Sequence, residues 1–313
     1  MTHNCFLSIV IPFLPHHDMV MLREAIEGAA QAAGADFSDY EVIVVDNRTN
    51  QDLGELSLPE ATRNNTYLVR LASSAMWDNV VLAGLERANG DFAVTLDPEM
   101  KAVAVAFDDL YRIAQAGNDI TYLRTIAPLE GGFRRRLFYW MLRTFGGLKV
   151  DPRAMGCYML SRRAMNLLTT NWAPNSFLAG QIFSVGFVPA PIDVTDQALV
   201  QHRSNAQNHN TAWASLTRTA GFPLLLGQLP VLAMAVVSAM ASINALVVRL
   251  FEVNIFGQPE AYVPGWTFIV LLTSFGFLIT NIAIYAVLRF LYVLLGQFDR
   301  VPPYTVQKFG RLS

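Results

Sequence analysis

Hydrophobic runs that resemble strands alternate with segments of helical periodicity through the N-terminal part of the chain. The strand-like runs occupy residues 6–12, 40–46, 66–71, 91–96 and 119–124. The first helix is predicted to present an apolar face formed by Leu22, Ala25, Ile26, Ala29 and Ala33. Asp18 can cap its start and Gly34 follows its predicted end. Further helices are predicted over residues 76–88 and 105–116. This alternation predicts a doubly wound, mostly parallel α/β sheet.

Two longer apolar runs follow, at residues 222–248 and 266–288. Each exceeds the roughly 20 residues that a helix needs to cross a bilayer, and Pro230 lies within the first. The composition also indicates a membrane part, since 53% of the 313 residues are hydrophobic and only 15% are charged. A typical soluble domain has about 25% charged residues. The sequence therefore predicts two C-terminal transmembrane helices.

The charges around these runs predict their orientation. The connecting residues 252–265 contain two acids and no Lys or Arg, whereas Arg218 precedes the first run and Arg300, Lys308 and Arg311 follow the second. By the positive-inside rule, both flanks are expected in the cytoplasm. We therefore expect a multi-pass protein of the cytoplasmic (inner) membrane. Its predicted parts are a cytoplasmic domain at residues 1–215, a two-helix transmembrane region at 216–298 and a cytoplasmic tail at 299–313.

The segment at residues 133–146 has a different character. Aromatic and aliphatic residues recur there at helical spacing, and Arg134, Arg135, Arg136 and Arg143 are interleaved with them. A basic, aromatic and amphipathic pattern is typical of a helix that lies in a membrane interface. The alternative is an ordinary packed helix with a solvated basic face.

Charge and cysteine content exclude some classes of function. The formal net charge is −2, which gives no electrostatic case for binding nucleic acid. Cys5 and Cys157 form neither a disulfide framework nor a metal-binding spacing, so buried thiols in a reducing compartment are the simplest interpretation. The first residues lack the basic region and apolar core of a signal peptide, which also favours a cytoplasmic N-terminal domain.

Two carboxylates, Asp97 and Glu99, come directly after the strand-like run at 91–96. In an open α/β sheet, ligands bind at the carboxyl ends of the strands. Mg²⁺ is commonly held there by one or two carboxylates together with substrate phosphates. Most Asp-x-Glu pairs are solvated loop charges, so the position after a strand is what favours a metal site. Asp46 also follows a strand, and on its own it could be an ordinary strand-end acid.

The order of several motifs resembles that of the family 2 glycosyltransferases with the GT-A fold. These are a strand ending at Pro12, a strand ending at Asp46, then Gly84, Gly90-Asp91 and Asp97-x-Glu99. Further motifs resemble the polyprenyl-phosphate glycosyltransferase subgroup, which includes dolichyl-phosphate mannose synthase and bacterial undecaprenyl-phosphate sugar transferases. They are Gly156-Cys157, Ser161-Arg162-Arg163, His202-Arg203, the two C-terminal spans and the segment at 300–304.

The resemblance implies roles for individual residues. Pro12, Asp46 and Asp97 would belong to the nucleotide-sugar site, with Asp46 on the nucleobase. Asp97 and Glu99 would hold Mg²⁺ or Mn²⁺ and the diphosphate. The lipid phosphate would be bound by Arg124, Arg203 and His209, with Arg134, Arg135 and Arg136 contributing from the interfacial helix. From the residues alone, Arg124 or Arg203 is more often a structural ion-pair partner, and His209 is equally a surface residue.

Several positions depart from the family pattern. The loop at residues 13–17 replaces a Tyr-Asn-Glu run, and its two histidines, His16 and His17, are more often surface residues than ligands. Ala154 stands where an acid is expected, with only Asp151 nearby. In the loop after Arg203, Ala206 and Asn208 replace Gly and Ser.

The leading hypothesis is an inverting, metal-dependent transferase that moves a sugar from a nucleotide-sugar donor to a polyprenyl phosphate. The alternative is a catalytically silent homologue that acts as a membrane scaffold or partner. A processive polysaccharide synthase usually needs more spans and a Gln-x-x-Arg-Trp motif, and these 313 residues contain neither. We also expect a homo-oligomer built through the first span, because small residues let membrane helices approach closely. The small residues in question are Ala233, Ala235, Ser238, Ala239, Ala241 and Ser242.

Overall fold

The computed structural model describes residues 3–100, 106–126, 139–140, 143, 150–172, 178–183, 186–194, 222–261, 263–298 and 304–312. The chain divides into two compact units. One comprises Met1–Arg218 together with Pro302–Ser313, and the other comprises Thr219–Val301. The C-terminal residues that were predicted as a tail thus group with the N-terminal unit.

The first unit is built on an eight-stranded sheet. Its strands are β1 (His3–Phe13), β2 (Phe37–Asp46), β3 (Thr66–Leu71), β4 (Phe92–Thr95), β5 (Ile120–Thr125), β6 (Ala154–Ser161), β7 (Ala190–Val194) and β8 (Val306–Arg311). Their spatial order is β7-β5-β6-β4-β1-β2-β3-β8. Strands β6 and β8 run opposite to the other six, because β6 pairs antiparallel with β4 and β5 while β8 pairs antiparallel with β3. The predicted fold class, a mostly parallel α/β sheet followed by two long apolar helices, is confirmed.

The register of the central strands brings several carboxyl ends to one edge of the sheet. Phe13 at the end of β1 lies opposite Asp46 at the end of β2, and Asp46 lies opposite Arg70 of β3. On the other side of β1, Val10 lies opposite Thr95 of β4. The residues that directly follow β1, β2 and β4 therefore meet at this carboxyl edge.

Helices cover both faces of the sheet. They are α1 (Met19–Asp36), α2 (Glu60–Asn64), α3 (Trp77–Leu85), α4 (Phe107–Gln115), α5 (Arg162–Thr170) and α6 (Leu178–Ile182). Side chains alternate along β1, so that Ile9 and Ile11 pack with α1 and α4 in one core while Val10 packs with α3 and α5 in the other. Gly84 of α3 lies so close to β1 that an added Cβ would meet the Val10 side chain at 2.3 Å. The close approach of α3 to the sheet thus requires glycine.

Helix α1 is longer than predicted. The Asp18 side chain caps its start and accepts the backbone N–H three residues later at 2.6 Å. The predicted end before Gly34 is wrong, because the helix continues to Asp36 and the N–H of Phe37 still donates to the carbonyl of Ala33. Strand β2 begins at once at Phe37, whose buried side chain anchors the junction in the core.

Strand β8 covers the edge of β3. The N–H of Ala72 donates to the carbonyl of Thr305 (2.8 Å), and the Tyr304 hydroxyl donates to the Glu86 carboxylate. Burial, and then the neighbouring Glu86, raise the pKa of Tyr304, so its hydroxyl remains a neutral donor. Unpaired sheet edges invite association with other chains, and β8 removes that risk at β3.

The second unit contains two apolar helices, α7 (Phe222–Phe251) and α8 (Trp266–Phe298), of 30 and 33 residues. Within them, Leu229–Phe251 and Trp266–Leu291 are long and apolar enough to cross a membrane. In the most apolar 18-residue stretch of each helix, only 11% is buried in α7 and only 6% in α8. The protein therefore does not cover these surfaces as it would cover a soluble core helix, which fits the predicted transmembrane region.

Most of the predicted interfacial helix at 133–146 lies outside the described residues. Residues 139, 140 and 143 are helical, and Trp140 is 53% exposed. The three arginines at 134–136 are outside the described part of the chain, so the interfacial helix stays a prediction.

Candidate active site

Asp97 and Glu99 lie directly after β4, at the carboxyl edge of the sheet. Asp97 is buried, with 5% exposure. A tight turn fixes the pair, because the N–H of Glu99 donates to Asp97 Oδ1 (3.1 Å) and the N–H of Met100 donates to the Asp97 carbonyl (2.9 Å). The local backbone thus keeps both carboxylates at the end of β4.

The loop after β1 brings two histidines to these carboxylates. His16 Nε2 lies 3.2 Å from Glu99 Oε1. His17 Nε2 lies 3.8 Å from both Asp97 Oδ1 and Glu99 Oε1. The two imidazole rings meet edge to face, with centroids 4.2 Å apart. We call Asp97, Glu99, His16 and His17 the carboxylate–imidazole cluster.

The expectation that His17 is a surface residue is wrong, since its exposure is only 2%. A compact turn draws it inward: the His17 N–H donates to the Leu14 carbonyl (2.9 Å), and the Leu14 N–H donates to His17 Nδ1 (3.2 Å). The signal in the sequence was a His-His pair placed between a strand end and the cap of α1. That signal did not reveal which histidine turns inward.

The composition of the cluster fits a divalent cation. One ligand atom each from His16, His17 and Glu99 can be chosen so that all three lie within 4.8 Å of one another. Carboxylate oxygen suits Mg²⁺ and Mn²⁺, and imidazole nitrogen suits first-row transition metals. The donor set therefore agrees with the divalent metal expected from the sequence and adds nitrogen to the carboxylates predicted there.

Asp46 has a different environment at the end of β2. Its exposure is 1%. Asp46 Oδ1 accepts from the N–H and the hydroxyl of Thr49 (2.8 Å each), and Oδ2 accepts from Arg70 Nε (2.9 Å). Arg48 and Asn50 in the same loop have positive φ angles of 56° and 59°. Asp46 thus holds a tight turn together, and its predicted contact with a nucleobase stays a prediction.

Arg124, predicted to face the phosphates, forms ion pairs within the protein. Its guanidinium donates to both carboxylate oxygens of Asp193 (2.6 and 2.9 Å), and Asp151 lies 3.8 Å away. The hydrogen bond from Arg124 holds the pKa of Asp193 below its ordinary value. Tyr122 donates to Asp151 (2.8 Å), so Asp151 is also engaged. To bind a lipid phosphate, Arg124 would have to use its remaining N–H groups or exchange partners.

Gly90 and Asp91, part of the family-like pattern, have a structural role at the start of β4. A Cβ on Gly90 would lie 2.6 Å from the Phe6 carbonyl oxygen. Asp91 accepts the N–H of Phe6 (3.0 Å), and Gly90 donates to the Ser8 hydroxyl (2.7 Å), which in turn donates to buried Glu41 (2.6 Å). This network fixes β4 against β1 and so positions the cluster at the opposite end.

The remaining predicted site residues divide into two groups. Pro12 is buried in β1 opposite Val45, one residue before the strand end. Arg203 and His209 lie outside the described residues, as do the three arginines at 134–136. Their assignments to the lipid phosphate stay predictions.

Comparison with known proteins gives distant relatives. No protein-family model matches the chain. The undecaprenyl-phosphate 4-deoxy-4-formamido-L-arabinose transferase of Photorhabdus laumondii is 23% identical over 163 residues, covering 50% of this chain and 48% of that protein. The transferase of the same name from Shewanella sediminis is 25% identical over 124 residues, covering 38% and 37%. The chain thus spans about half the length, or less, of the curated relatives it matches.

Solved structures with similar folds include glucosyl-3-phosphoglycerate synthase of Mycobacterium tuberculosis (TM-score 0.48, 14% identity, 69% of this chain and 81% of that one). Another is residues 1–349 of TarS from S. aureus (TM-score 0.38, 14% identity, 68% and 71%). The resemblance drawn from the sequence is confirmed by distant relatives, since the curated proteins that the chain matches are undecaprenyl-phosphate arabinose transferases.

Proposed function

We propose that this chain transfers a sugar from a nucleotide-sugar donor to a polyprenyl phosphate, in the manner of its undecaprenyl-phosphate relatives. The transfer would invert the anomeric centre and serve cell-envelope glycan or lipid modification. The observation that carries the proposal is the carboxylate–imidazole cluster at the carboxyl edge of a GT-A sheet. The two exposed apolar helices in the same chain suit an acceptor that resides in a membrane.

The cluster would act on the donor diphosphate. Asp97 and Glu99 would hold the divalent cation, which supplies charge stabilisation to the departing nucleoside diphosphate without proton transfer. The turn of hydrogen bonds from Glu99 and Met100 to Asp97 orients the first carboxylate before the donor arrives. Such preorganisation avoids rearrangement during the reaction.

The acceptor explains why no acid is needed at Ala154. A phosphate monoester has a second pKa near 6, so it is already an anionic nucleophile at about pH 7. A general base would contribute little to this attack, whereas a sugar hydroxyl acceptor would need one. Direct attack from the face opposite the leaving group inverts the anomeric configuration. Asp151, held by Tyr122, is therefore expected to be dispensable for proton transfer.

The acceptor phosphate would be bound by arginines, which suit phosphate because they donate bidentately. Arg203 is the first candidate, Arg124 the second and His209 the third. The basic segment at 133–146 would guide the lipid headgroup from the membrane surface. Changing Arg134, Arg135 and Arg136 to Glu should raise the KM for lipid more than the Kd for the donor. An unchanged KM for lipid would count against this role.

The test of the function uses the full chain in nanodiscs. Undecaprenyl phosphate and a panel of nucleotide sugars are supplied with Mg²⁺ or Mn²⁺, and lipid products are scored by mass. We expect one donor to add the mass of one sugar residue to the lipid. Asp97→Asn is the matched control. If neither metal supports transfer from any donor, the proposed activity is wrong.

A catalytically silent homologue is the second candidate. Two observations favour it: Arg70 and Thr49 already engage Asp46, and Asp193 already engages Arg124. A silent homologue would bind another membrane protein while showing no turnover of any donor. The transfer assay therefore separates the two candidates directly.

We further propose that the domain containing the sheet and the C-terminal strand both face the cytoplasm, with the 252–265 connection outside. The charge asymmetry around the two helices supports this orientation. A cysteine placed at Gln258, which is exposed, should react with an impermeant maleimide added to intact cells. Labelling only after permeabilisation would show that the protein has the opposite orientation.

The expected homo-oligomer also remains a proposal. On α7, Ala235, Ser238 and Ser242 are only partly exposed, and Ala245 accepts a hydrogen bond from Thr267 of α8 (3.3 Å). That side of α7 is therefore used within the chain. The exposed small residues Ala233, Ala239 and Ala241 are available for contact with a second copy. A monomeric mass in nanodiscs would contradict the oligomer.

A further inference from the structure

We infer that His16 is a nitrogen ligand of the divalent cation, so that the metal site consists of imidazole and carboxylate and prefers Mn²⁺ to Mg²⁺. His17 is a positioning residue in the same loop and not a ligand. This inference deepens the proposed function and rests on it, because the metal is the one that would bind the donor diphosphate.

The spacing of the two candidate ligand atoms supports His16. Two neighbouring ligands of an octahedral ion, each at ~2.1 Å from it, lie about 3 Å apart. His16 Nε2 and Glu99 Oε1 are 3.2 Å apart. No rearrangement of the backbone is needed for both atoms to reach one ion. The side chain of His16 is 30% exposed, so solvent reaches part of this residue.

The hydrogen bonding of His17 argues against ligation by that ring. His17 Nδ1 accepts the N–H of Leu14 (3.2 Å). A neutral imidazole has one accepting nitrogen and one that carries hydrogen, so Nε2 carries the hydrogen. A nitrogen with a hydrogen cannot donate its lone pair to a metal. His17 Nε2 instead lies 3.8 Å from the nearest carboxylate oxygens of Asp97 and Glu99.

His17 nevertheless fixes the place of His16. It is 2% exposed, its own N–H closes the turn onto Leu14 (2.9 Å), and its ring packs against that of His16. Asp18, the next residue, is fixed as the cap of α1. The loop is thus anchored on both sides of His16, at the end of β1 and at the start of α1.

The nitrogen ligand determines which metal the site favours. Mg²⁺ is a hard ion that takes oxygen ligands, whereas imidazole suits first-row transition metals. A site of two carboxylates alone would leave Mn²⁺ little advantage. With His16 as a ligand, Mn²⁺ gains an interaction that Mg²⁺ makes poorly.

The experiment uses the full chain in nanodiscs with Mn²⁺ as the probe. Pulsed electron paramagnetic resonance detects hyperfine coupling between bound Mn²⁺ and a nitrogen nucleus, and labelling with ¹⁵N-histidine identifies imidazole as its source. We expect this coupling in wild type and also in His17→Gln, where Mn²⁺ affinity should be lower because His16 is positioned less well. We expect it to be lost in both His16→Asn and His16→Gln. Loss of even an outer-shell partner typically costs roughly 10- to 100-fold in metal affinity, so titration should show Mn²⁺ affinity falling by at least about that much in the His16 variants, with Mg²⁺ affinity nearly unchanged.

The possible failures are distinguishable. If Mn²⁺ binds wild type without histidine coupling, or if coupling survives in the His16 variants, the ligand assignment is wrong while the proposed function stands. If coupling disappears only in His17→Gln, the two histidines have been assigned in the wrong order. If wild type binds no Mn²⁺ yet transfers sugar, the activity stands and the metal site falls. Loss of both binding and transfer would overturn the function as well.

Discussion

Two acids, Asp46 at the end of β2 and Asp97 just after β4, lie at the same edge of the sheet on either side of β1, yet their surroundings differ. Both are almost fully buried, at 1% and 5% exposure. Asp46 is held by the guanidinium of Arg70, which stays charged at every physiological pH. Beside Asp97 lies the imidazole of His17, whose Nε2 is 3.8 Å from Asp97 Oδ1, and an imidazole is not a permanent cation.

The difference explains why we propose one strand-end acid as a metal ligand, whereas the other stabilises the backbone around it. A permanent cation on the adjacent strand satisfies Asp46 and stabilises the turn that follows β2. At Asp97 a second carboxylate and two imidazoles converge, and the two carboxylates together with His16 would gain by sharing the divalent cation that we propose. The sequence pattern of strand followed by acid is the same in both places, so the neighbours alone decide the role.

The largest expected effect comes from Asp97→Asn. The substitution keeps the shape of the turn but removes charge from the cluster. A metal interaction with the leaving group is worth several kcal/mol, and each 1.36 kcal/mol is about tenfold in rate. Transfer to undecaprenyl phosphate should therefore fall by roughly a hundredfold or more, with little change in melting temperature. Asp109→Asn, on the exposed side of α4, is the control. Near-normal turnover of Asp97→Asn in excess EDTA would contradict a metal site at Asp97 and with it the contrast between Asp97 and Asp46.

A smaller effect is expected from Arg70→Gln, which removes the cation from Asp46. Hydrogen bonds to charged groups contribute about 1.5–3 kcal/mol. Arg70 is one-third exposed, with a side-chain exposure of 34%, so a loss of about 1–2 kcal/mol in the free energy of unfolding is expected. Denaturant titration of the full chain in detergent measures it. Thr49 still donates to Asp46, so the turn should persist. A variant as stable as wild type would show that Arg70 does not stabilise the turn after β2.

The smallest effect on stability is expected from Arg124→Gln. This variant tests whether Arg124 stabilises the fold or binds the lipid phosphate. Arg124 lowers the pKa of Asp193 below its ordinary value of 3.8. A lowered carboxyl pKa contributes stability above about pH 3.8 that is lost as the pH falls through the folded value. Wild type should therefore melt slightly above the variant at neutral pH, and the two should converge in acid. A raised KM for lipid with no such pH dependence would assign Arg124 to the acceptor instead.

The sequence predicted the elements whose signal is local. Alternating apolar runs predicted β1 to β5, and the length of two apolar runs predicted α7 and α8. It missed strands β6, β7 and β8. Strand β6 enters the sheet by pairing Ser161 with Phe92, and β8 by pairing Gly310 with Leu68. Such distant partners leave no periodic trace in either segment.

In the candidate site, too, the features with a local signal were predictable and those that depend on distant partners were not. The position of Asp97 and Glu99 after a strand was predictable, because strand ends and ligand sites coincide in α/β sheets. The ion pair between Asp46 and Arg70 was not predictable, since it depends on the strand register that sets Arg70 opposite Asp46. The burial of His17 depends on a hydrogen bond from Leu14 that no spacing rule anticipates.

Strand β8 has a consequence for membrane insertion. Hydrogen-bonded neighbours in a sheet must lie in the same aqueous compartment, since a hydrocarbon layer of about 30 Å cannot separate them. The pairing of β3 with β8 therefore requires an even number of membrane crossings between Leu71 and Val306. Two crossings by α7 and α8 satisfy this parity, and it holds whichever side the sheet occupies. If only one helix were inserted, β8 would lie on the opposite side of the membrane from the rest of the sheet, and the edge of β3 would stay unpaired. The sheet can therefore be completed when both helices cross the membrane or when neither does, but not when only one of them crosses.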